Sequence, residues 1–494
     1  MLLLGIDLGT TGTKAVVVDD RGSVVASATR EHPLSAPRPG WSEQDPETWW
    51  QSTCEAVKAA LATVPNGPKR IAGIGLSGQM HGLVMVDADG EPLRPCILWN
   101  DQRSAPQCER IEREIGLEAI VRMTGNRMLP GFTAPKILWC REHEPELERR
   151  ARTHLLPKDW LRFRLSETRA TEVSDASGTL LFDCGRRCWS EAMLDTLRID
   201  RATMPECAES TVVSARLSAR AGESLGLRSG IPIVGGAGDQ AASAIGSGIV
   251  REGAVSVTIG TSGVAFATCD AWRPSARGEV HAFCHAVPGR WHVMGVMLGC
   301  GGSLRWYRDT FAFPQGDHGY EAIVAEAATS QPGARGISFL PYLSGERCPH
   351  PDPEIRGALL GLDASHRRAD VSRAVLEGIT FGLGDNLDLI RGLGIPVGEV
   401  RLAGGGARSA FWQQLCADVF GCPVLVSRGN EGGALGVALL AGVGVGLWRS
   451  VDEACPSIDS SAERKLPVAS DSLHRAMDRF RQAYPQLRPL CHPA

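Results

Sequence analysis

The sequence predicts an α/β protein of two related domains facing each other across a cleft, and three observations carry that prediction. A chain of 494 residues is longer than one hydrophobic core comfortably serves. It opens with an apolar strand, a Gly/Thr turn and a second apolar strand, IDLGTTGTKAVVV. The same pattern returns after residue 256 as VTIGTSGVAFA, which reads as an internal repeat. The two copies set a junction near Gly248 to Gly253, dividing the chain into residues 1–248 and 249–494.

The first domain begins at residue 2 as an antiparallel meander, with LLLGIDL, AVVVDD and SVVASATR as strands and GTTGTK and RG as turns. In PETWWQSTCEAVKAALATV, Trp49, Cys54, Val57 and Leu61 recur at helical spacing behind an Asp45-Pro46 start signal. RIAGIGLSG is a strand. It holds a GxGxxG from Gly73 to Gly78, but the next residues, QMHGLVMVDADG, read as a returning strand, whereas a dinucleotide fold needs a helix there. From about Trp99 to Leu225 the chain is helix-rich, charged and punctuated by proline. IPIVGGAGDQAASAIGSG then reads as strand, glycine turn and helix, and so does RLAGGGARSAFWQQLCADVFG, with Phe411, Leu415 and Val419 on one helical face.

Composition excludes several function classes. Apolar residues make up 43% and charged residues 22% of the chain, the balance of an ordinary folded protein. A formal charge of -4 and the lack of a Lys/Arg run argue against a nucleic-acid partner. Gly432 to Trp448 runs 17 residues without a charge but holds six glycines. That is too short to span a bilayer and reads as a buried Ala/Leu helix followed by a glycine turn. The 15 cysteines are odd in number and lack a CxxC pair, so neither a disulfide framework nor a zinc site is expected. The N-terminus meets Asp7 too early for a secretory segment, and the expected compartment is the cytoplasm.

The chemistry-bearing residues cluster at the glycine turns. Convergent backbone N–H groups and threonine hydroxyls hold phosphates, and Gly9-Thr10-Thr11-Gly12 and Gly260-Thr261-Ser262-Gly263 both have that composition. A single such turn is explained equally well by glycine's backbone freedom; two, one per domain, suit a triphosphate gripped from opposite sides. Lys14 follows the first turn, as a phosphate neutraliser or a solvated strand lysine. Asp7 precedes it on an apolar strand, where a carboxylate needs a partner such as phosphate-bound Mg²⁺ or a turn N–H. Asp239, at the head of the helix after GGAG, reads either as an N-cap or as a base for a hydroxyl attacking a phosphate. Met80, His81 and Trp99 offer a carbon face, a hydrogen-bonding ring and an indole, which suits a sugar pocket and equally an ordinary core or loop. No GxxxxGK[ST] or HExxH occurs.

Taken together, IDLGTTGTK, WSEQDPETWW, SGQMHG, WNDQR, LPGFTAPKILW, GGAGDQAA, TIGTSGV, FCHA, SGERCPH, GALLGLDASHRRADVSRAVLEG and AGGGARS resemble the FGGY family of carbohydrate kinases. SGQMHG, WNDQR and SGERCPH narrow the resemblance to its xylulokinase branch. The resemblance implies two ribonuclease-H-like, actin-like domains around a central cleft, with sugar held by the first and ATP by the second. It implies ATP-dependent phosphorylation of D-xylulose at its C5 hydroxyl, with Mg²⁺, and a homodimer as one possible assembly. Carried over residue by residue, Asp239 matches the base and Asp7 the acidic residue that faces Mg-ATP through water. Met80, His81, Trp99 and Gln240 fall on the sugar side. Thr10, Thr11, Lys14, Gly260, Thr261, Gly301, Arg305, Gly405 and Ser409 match the nucleotide positions. Two departures stand out: Gln240, where xylulokinases commonly have Asn, and Cys348 in SGERCPH, where Thr is commoner. The rivals are an FGGY kinase for another ketose, gluconate or a polyol, and an actin-like ATPase without a metabolic substrate.

Overall fold

The computed structural model describes residues 1–311, 313–426, 431–455 and 464–492. The first sheet is built on the predicted meander: β1 (Leu2–Leu8), β2 (Gly12–Asp19) and β3 (Val24–Glu31), joined by β4 (Ile71–Gly78) and β5 (Pro232–Val234). β1 is apolar on both faces and almost wholly buried, as a central strand covered by helices must be. β3 alternates between exposed and half-buried residues along most of its length and forms the edge. The helix α1 (Pro46–Ala62) starts where Asp45 accepts a hydrogen bond from the Glu47 N–H at 3.0 Å, with Pro46 at its first position. Trp49, Val57 and Leu61 are buried beneath it, and Cys54 sits at the rim.

Strands run β3-β2-β1-β4-β5, antiparallel through the meander and parallel from β1 onward. After the helix α2 (Asp239–Gly246), a second sheet repeats the order with β6 (Ala254–Ile259), β7 (Gly263–Cys269), β8 (Trp291–Met297), β9 (Glu399–Ala403) and β10 (Val424–Val426). Here β8-β7-β6 is the antiparallel part and β6-β9-β10 the parallel part. This shared order is the ribonuclease-H-like arrangement, so the repeat seen in sequence is a repeat of topology. The 25-residue helix α3 (Arg368–Gly392) is buried along most of its length in the second core.

The uncharged segment forms α4 (Gly432–Gly444), a helix buried against the first sheet and α2. Its backbone lies so close that a Cβ on Gly5 would sit 1.9 Å from the Ala434 carbonyl oxygen, and one on Gly75 would sit 1.9 Å from that of Val437. A chain segment from beyond β10 therefore completes the first core. No helix among the described residues is long and apolar enough to cross a membrane.

Two local expectations are corrected. Val84–Val86 does not return along RIAGIGLSG but pairs with Thr153–Leu155, because the chain leaves the sheet through His81 in the left-handed region, φ 71°. On the helix Ala410–Phe420 the buried face is Trp412, Leu415, Cys416 and Phe420, with Phe411 and Val419 at its margins.

Candidate functional site

The two Gly/Thr turns are tight hairpins at the ends of β1 and β6. Gly9 N–H donates to the Gly12 carbonyl at 3.0 Å and Gly260 N–H to that of Ser262 at 3.1 Å. The second hairpin abuts the start of the helix Gly301–Thr310. Gly301 N–H donates to the Gly260 carbonyl at 2.8 Å, and a Cβ on Gly301 would lie 2.4 Å from that oxygen. Thr261 and Arg305 are exposed beside it. The GGGARS turn closes on the same place, since a Cβ on Gly404 would sit 2.5 Å from the Ile259 carbonyl oxygen. Gly405 is open to solvent, and Ser409 caps the next helix by accepting from Trp412 N–H at 3.2 Å. The structure thus gathers Gly260, Thr261, Gly301, Arg305, Gly405 and Ser409 at one end of the second sheet.

In the first hairpin the two threonines differ. Thr10 donates its hydroxyl proton to Gln79 Oε1 at 3.0 Å and accepts from the Trp99 indole N–H at 3.0 Å. Gln79 in turn donates to Gln44 Oε1 at 2.9 Å, and Gln44 donates to the Thr10 carbonyl at 2.7 Å. Thr10 is therefore tied into the scaffold, whereas Thr11 is exposed. Trp99, anchored by its indole nitrogen, remains 41% exposed.

Asp7 lies opposite Lys14 in β2 and Ser77 in β4. Its Oδ1 is buried without a hydrogen-bond partner. Burial raises the carboxyl above the usual range, with the neighbouring Ser77 hydroxyl and the Lys14 charge opposing. Lys14 pairs with Glu431 at 2.7 Å, just before α4. Asp239 is the first residue of α2; the capping position belongs to Gly238, in extended backbone with no side-chain cap. The N-cap reading of Asp239 is thereby displaced by one residue. Its carboxyl is pushed up to about 7, first by burial and then by the negative charge of Asp7.

Met80 is buried against the base of this loop: a Cβ on Gly238 would meet its Cγ and Sδ at 2.9 Å. His81 bonds through Nδ1 to the Gly178 carbonyl at 2.8 Å. A carbonyl only accepts, so Nδ1 carries the proton. Burial lowers the ring to about 3, so it is neutral and Nε2 is left as an acceptor. The strained backbone of His81 is clamped at its carbonyl by Lys136 Nζ at 2.8 Å and Thr133 Oγ1 at 3.0 Å, and its ring packs 4.5 Å from Phe132. Lys136 is itself fully buried, which pushes its ammonium down to about 7. Sequence reasoning recognised LPGFTAPKILW as a motif without giving Thr133 or Lys136 a task; the signal was a lysine amid apolar helix residues.

Gln240 does not enter the same packing. It lines a cavity of about 210 Å³ with Ser243, Ser247, Thr258, Phe266 and Ala403, between α2 and the second sheet. Cys348 is buried, and its carbonyl accepts from Asn386 Nδ2 at 3.5 Å. Among the described residues no group of three or more His, Cys, Asp or Glu side chains is placed to hold a metal ion by itself.

Comparison with known proteins agrees with this layout. Residues 2–246 match the model of the FGGY family of carbohydrate kinases, N-terminal domain, and residues 255–445 its C-terminal domain. A xylulose kinase of Escherichia coli K12 is 40% identical over 492 residues, covering 99% of this chain and 100% of the relative. A gluconokinase of Bacillus subtilis is 31% identical over 475 residues, 94% of this chain and 92% of its own. A crystal structure of a xyloylose kinase from Brucella ovis superposes with a TM-score of 0.93 at 38% identity, over 99% of this chain and 100% of that one. With both halves matched and the sheet topology repeated, the chain belongs to the FGGY family of carbohydrate kinases and is a phosphotransferase with an alcohol acceptor.

Proposed function

We propose that this protein transfers the γ-phosphoryl group of ATP to the C5 hydroxyl of D-xylulose, with Asp239 as the general base. The observation that carries the reading is the contact of Met80 with Gly238, which seats the residues of SGQMHG directly against the loop that bears Asp239. The choice of sugar rests on the greater identity to the xylulose kinase, 40%, than to the gluconokinase, 31%. His81 offers Nε2 to a sugar hydroxyl, Met80 packs on the carbon chain and the exposed Trp99 covers it. Gln240 reaches from the adjoining cavity. Asp239 accepts the C5 hydroxyl proton, the C5 oxygen bonds to the γ-phosphorus, and the bond from that phosphorus to the β,γ-bridging oxygen breaks to release ADP.

On the nucleotide side, Thr11, Lys14 and Thr10's backbone face the phosphates from the first hairpin. Gly260, Thr261, Gly301 and Arg305 face them from the second, with adenosine against Gly405 and Ser409. Closing the two hairpins on the triphosphate excludes water, a competing acceptor. The unpartnered Oδ1 of Asp7 suits a Mg²⁺ ion carried by ATP and reached through a water, and such an ion supplies neutralisation of phosphate charge. All 15 cysteines are free, in keeping with a cytoplasmic enzyme.

Phosphorylation of D-xylulose, other ketopentoses, D-gluconate and glycerol, measured as kcat/KM, tests the reading. D-Xylulose is expected to lead by at least about 10²-fold, because a pocket that pairs substrate hydroxyls discriminates strongly. Equal or better use of gluconate overturns it. Gly178→Ala gives a second test, since the new Cβ would lie 2.5 Å from His81 Nδ1. The KM for D-xylulose should rise roughly tenfold or more, on the scale of losing a hydrogen bond to substrate, while the KM for ATP stays unchanged.

A further inference from the structure

Behind the site lies a buried charged cluster that the phosphoryl transfer just described does not use: Lys158, Asp159, Arg162, Glu172 and Asp175, all fully buried. Arg162 donates to the Val234 carbonyl at 2.9 Å and also to the Gly235 carbonyl, gripping the end of β5 where the GGAGD loop begins. Glu172 is more tightly held. It accepts from Ser174 N–H at 2.8 Å, Asp175 N–H at 2.8 Å, Ser174 Oγ at 2.9 Å and Ser210 Oγ at 2.8 Å. With its proton given to Glu172, the Ser174 hydroxyl has lone pairs free, and one of them accepts Gly238 N–H at 3.0 Å. Three residues on from Ser177, which also belongs to this segment and holds Cys284 N–H at 3.1 Å, the chain reaches Leu180; in between, the Gly178 carbonyl holds His81. One short stretch, residues 172–178, therefore touches both the His81 ring and the residue preceding Asp239.

We infer that Ser174, oriented by Glu172, is a positioning residue that sets where the Asp239 carboxylate stands relative to the sugar hydroxyl. Gly238 has no side chain with which to anchor itself, and its own capping position leaves its N–H outside the helix ladder. Ser174 is the group that ties this N–H down. Misplacing a reacting group by about 1 Å costs roughly 10²-fold in rate, so a single buried hydroxyl in this position has leverage on turnover without touching substrate. The surrounding charges keep it in place: Lys158 pairs with Asp159 at 2.7 Å and with Asp175 at 3.4 Å, so the cluster cannot rearrange without stranding a buried charge.

The inference rests on the reading of Asp239 as the base, and a double-mutant cycle separates the two. Ser174→Ala is expected to lower kcat by about 10- to 100-fold with the KM for both substrates held within about threefold, and Ser174→Thr to restore most of the loss. In an Asp239→Asn background, Ser174→Ala should cost less than about twofold, because residues acting as a unit are not additive. A fall of the same size in both backgrounds overturns the inference, as does a Ser174→Ala enzyme with normal kcat. If Ser174→Ala does not fold, Ser174→Cys keeps the volume and weakens the acceptor, and the same cycle is read with it. An Asp239→Asn enzyme with near-normal turnover instead overturns the base assignment.

Discussion

Asp239→Asn should lower kcat by roughly 10²- to 10⁴-fold, the usual contribution of a positioned general base, and leave the KM for ATP close to that of the unaltered enzyme. The wild-type pH profile should carry the same signature. A base works as the carboxylate, so activity is present above its folded-state pKa and lost as pH falls through about 7. Asp239→Asn should flatten that acid limb. Stability separates this from misfolding. Because the folded state holds the proton more tightly than the unfolded chain, folding loses stability as pH rises from about 4, the ordinary carboxyl value, to about 7. Asparagine removes that loss and the repulsion from Asp7, so at pH 8 the variant should melt no lower than wild type. Steady-state kinetics with calorimetry on the same samples checks both; normal turnover in Asp239→Asn refutes the role.

Gly75→Ala is expected to be severely destabilising. Its Cβ would fall 1.9 Å from the Val437 carbonyl oxygen and 2.5 Å from the carbonyl carbon. Neither the central strand β4 nor the buried helix α4 has room to retreat, because α4 is held from the other side by α2, where a Cβ on Gly436 would lie 1.9 Å from the Ala242 carbonyl oxygen. Overpacking of this kind costs about 3 kcal/mol or more, and the expected result is a large drop in the denaturation midpoint followed by circular dichroism, or loss of soluble protein. Gly392→Ala is the matched control: it ends α3 with nothing within 4 Å of the added atom and should be neutral or slightly stabilising. A Gly75→Ala protein as stable as the control refutes the close packing of α4 on the first sheet.

The repeated hairpins, the meander, α1 with its Asp45 start and the identity of the glycine turns were legible along the chain, because each depends on near neighbours: apolar runs, a capping residue, a turn that only glycine fits. Family membership was legible for the same reason, as strings of adjacent residues. What the sequence left open was decided by contacts between distant segments. By its own residues Asp239 read as a cap or a base, and the resemblance pointed to the base; the fold gave the cap to Gly238 and buried the carboxyl near Asp7. The uncharged stretch read as a buried helix, but not as one from beyond β10 that completes the first core. Lys136 and Ser174 showed nothing of their tasks, since holding the His81 carbonyl and the Gly238 N–H are functions of position in space. Local propensity acts over a few residues; the pKa of a carboxyl and the clamp on a strained backbone are set by whatever the tertiary fold brings within a few ångströms.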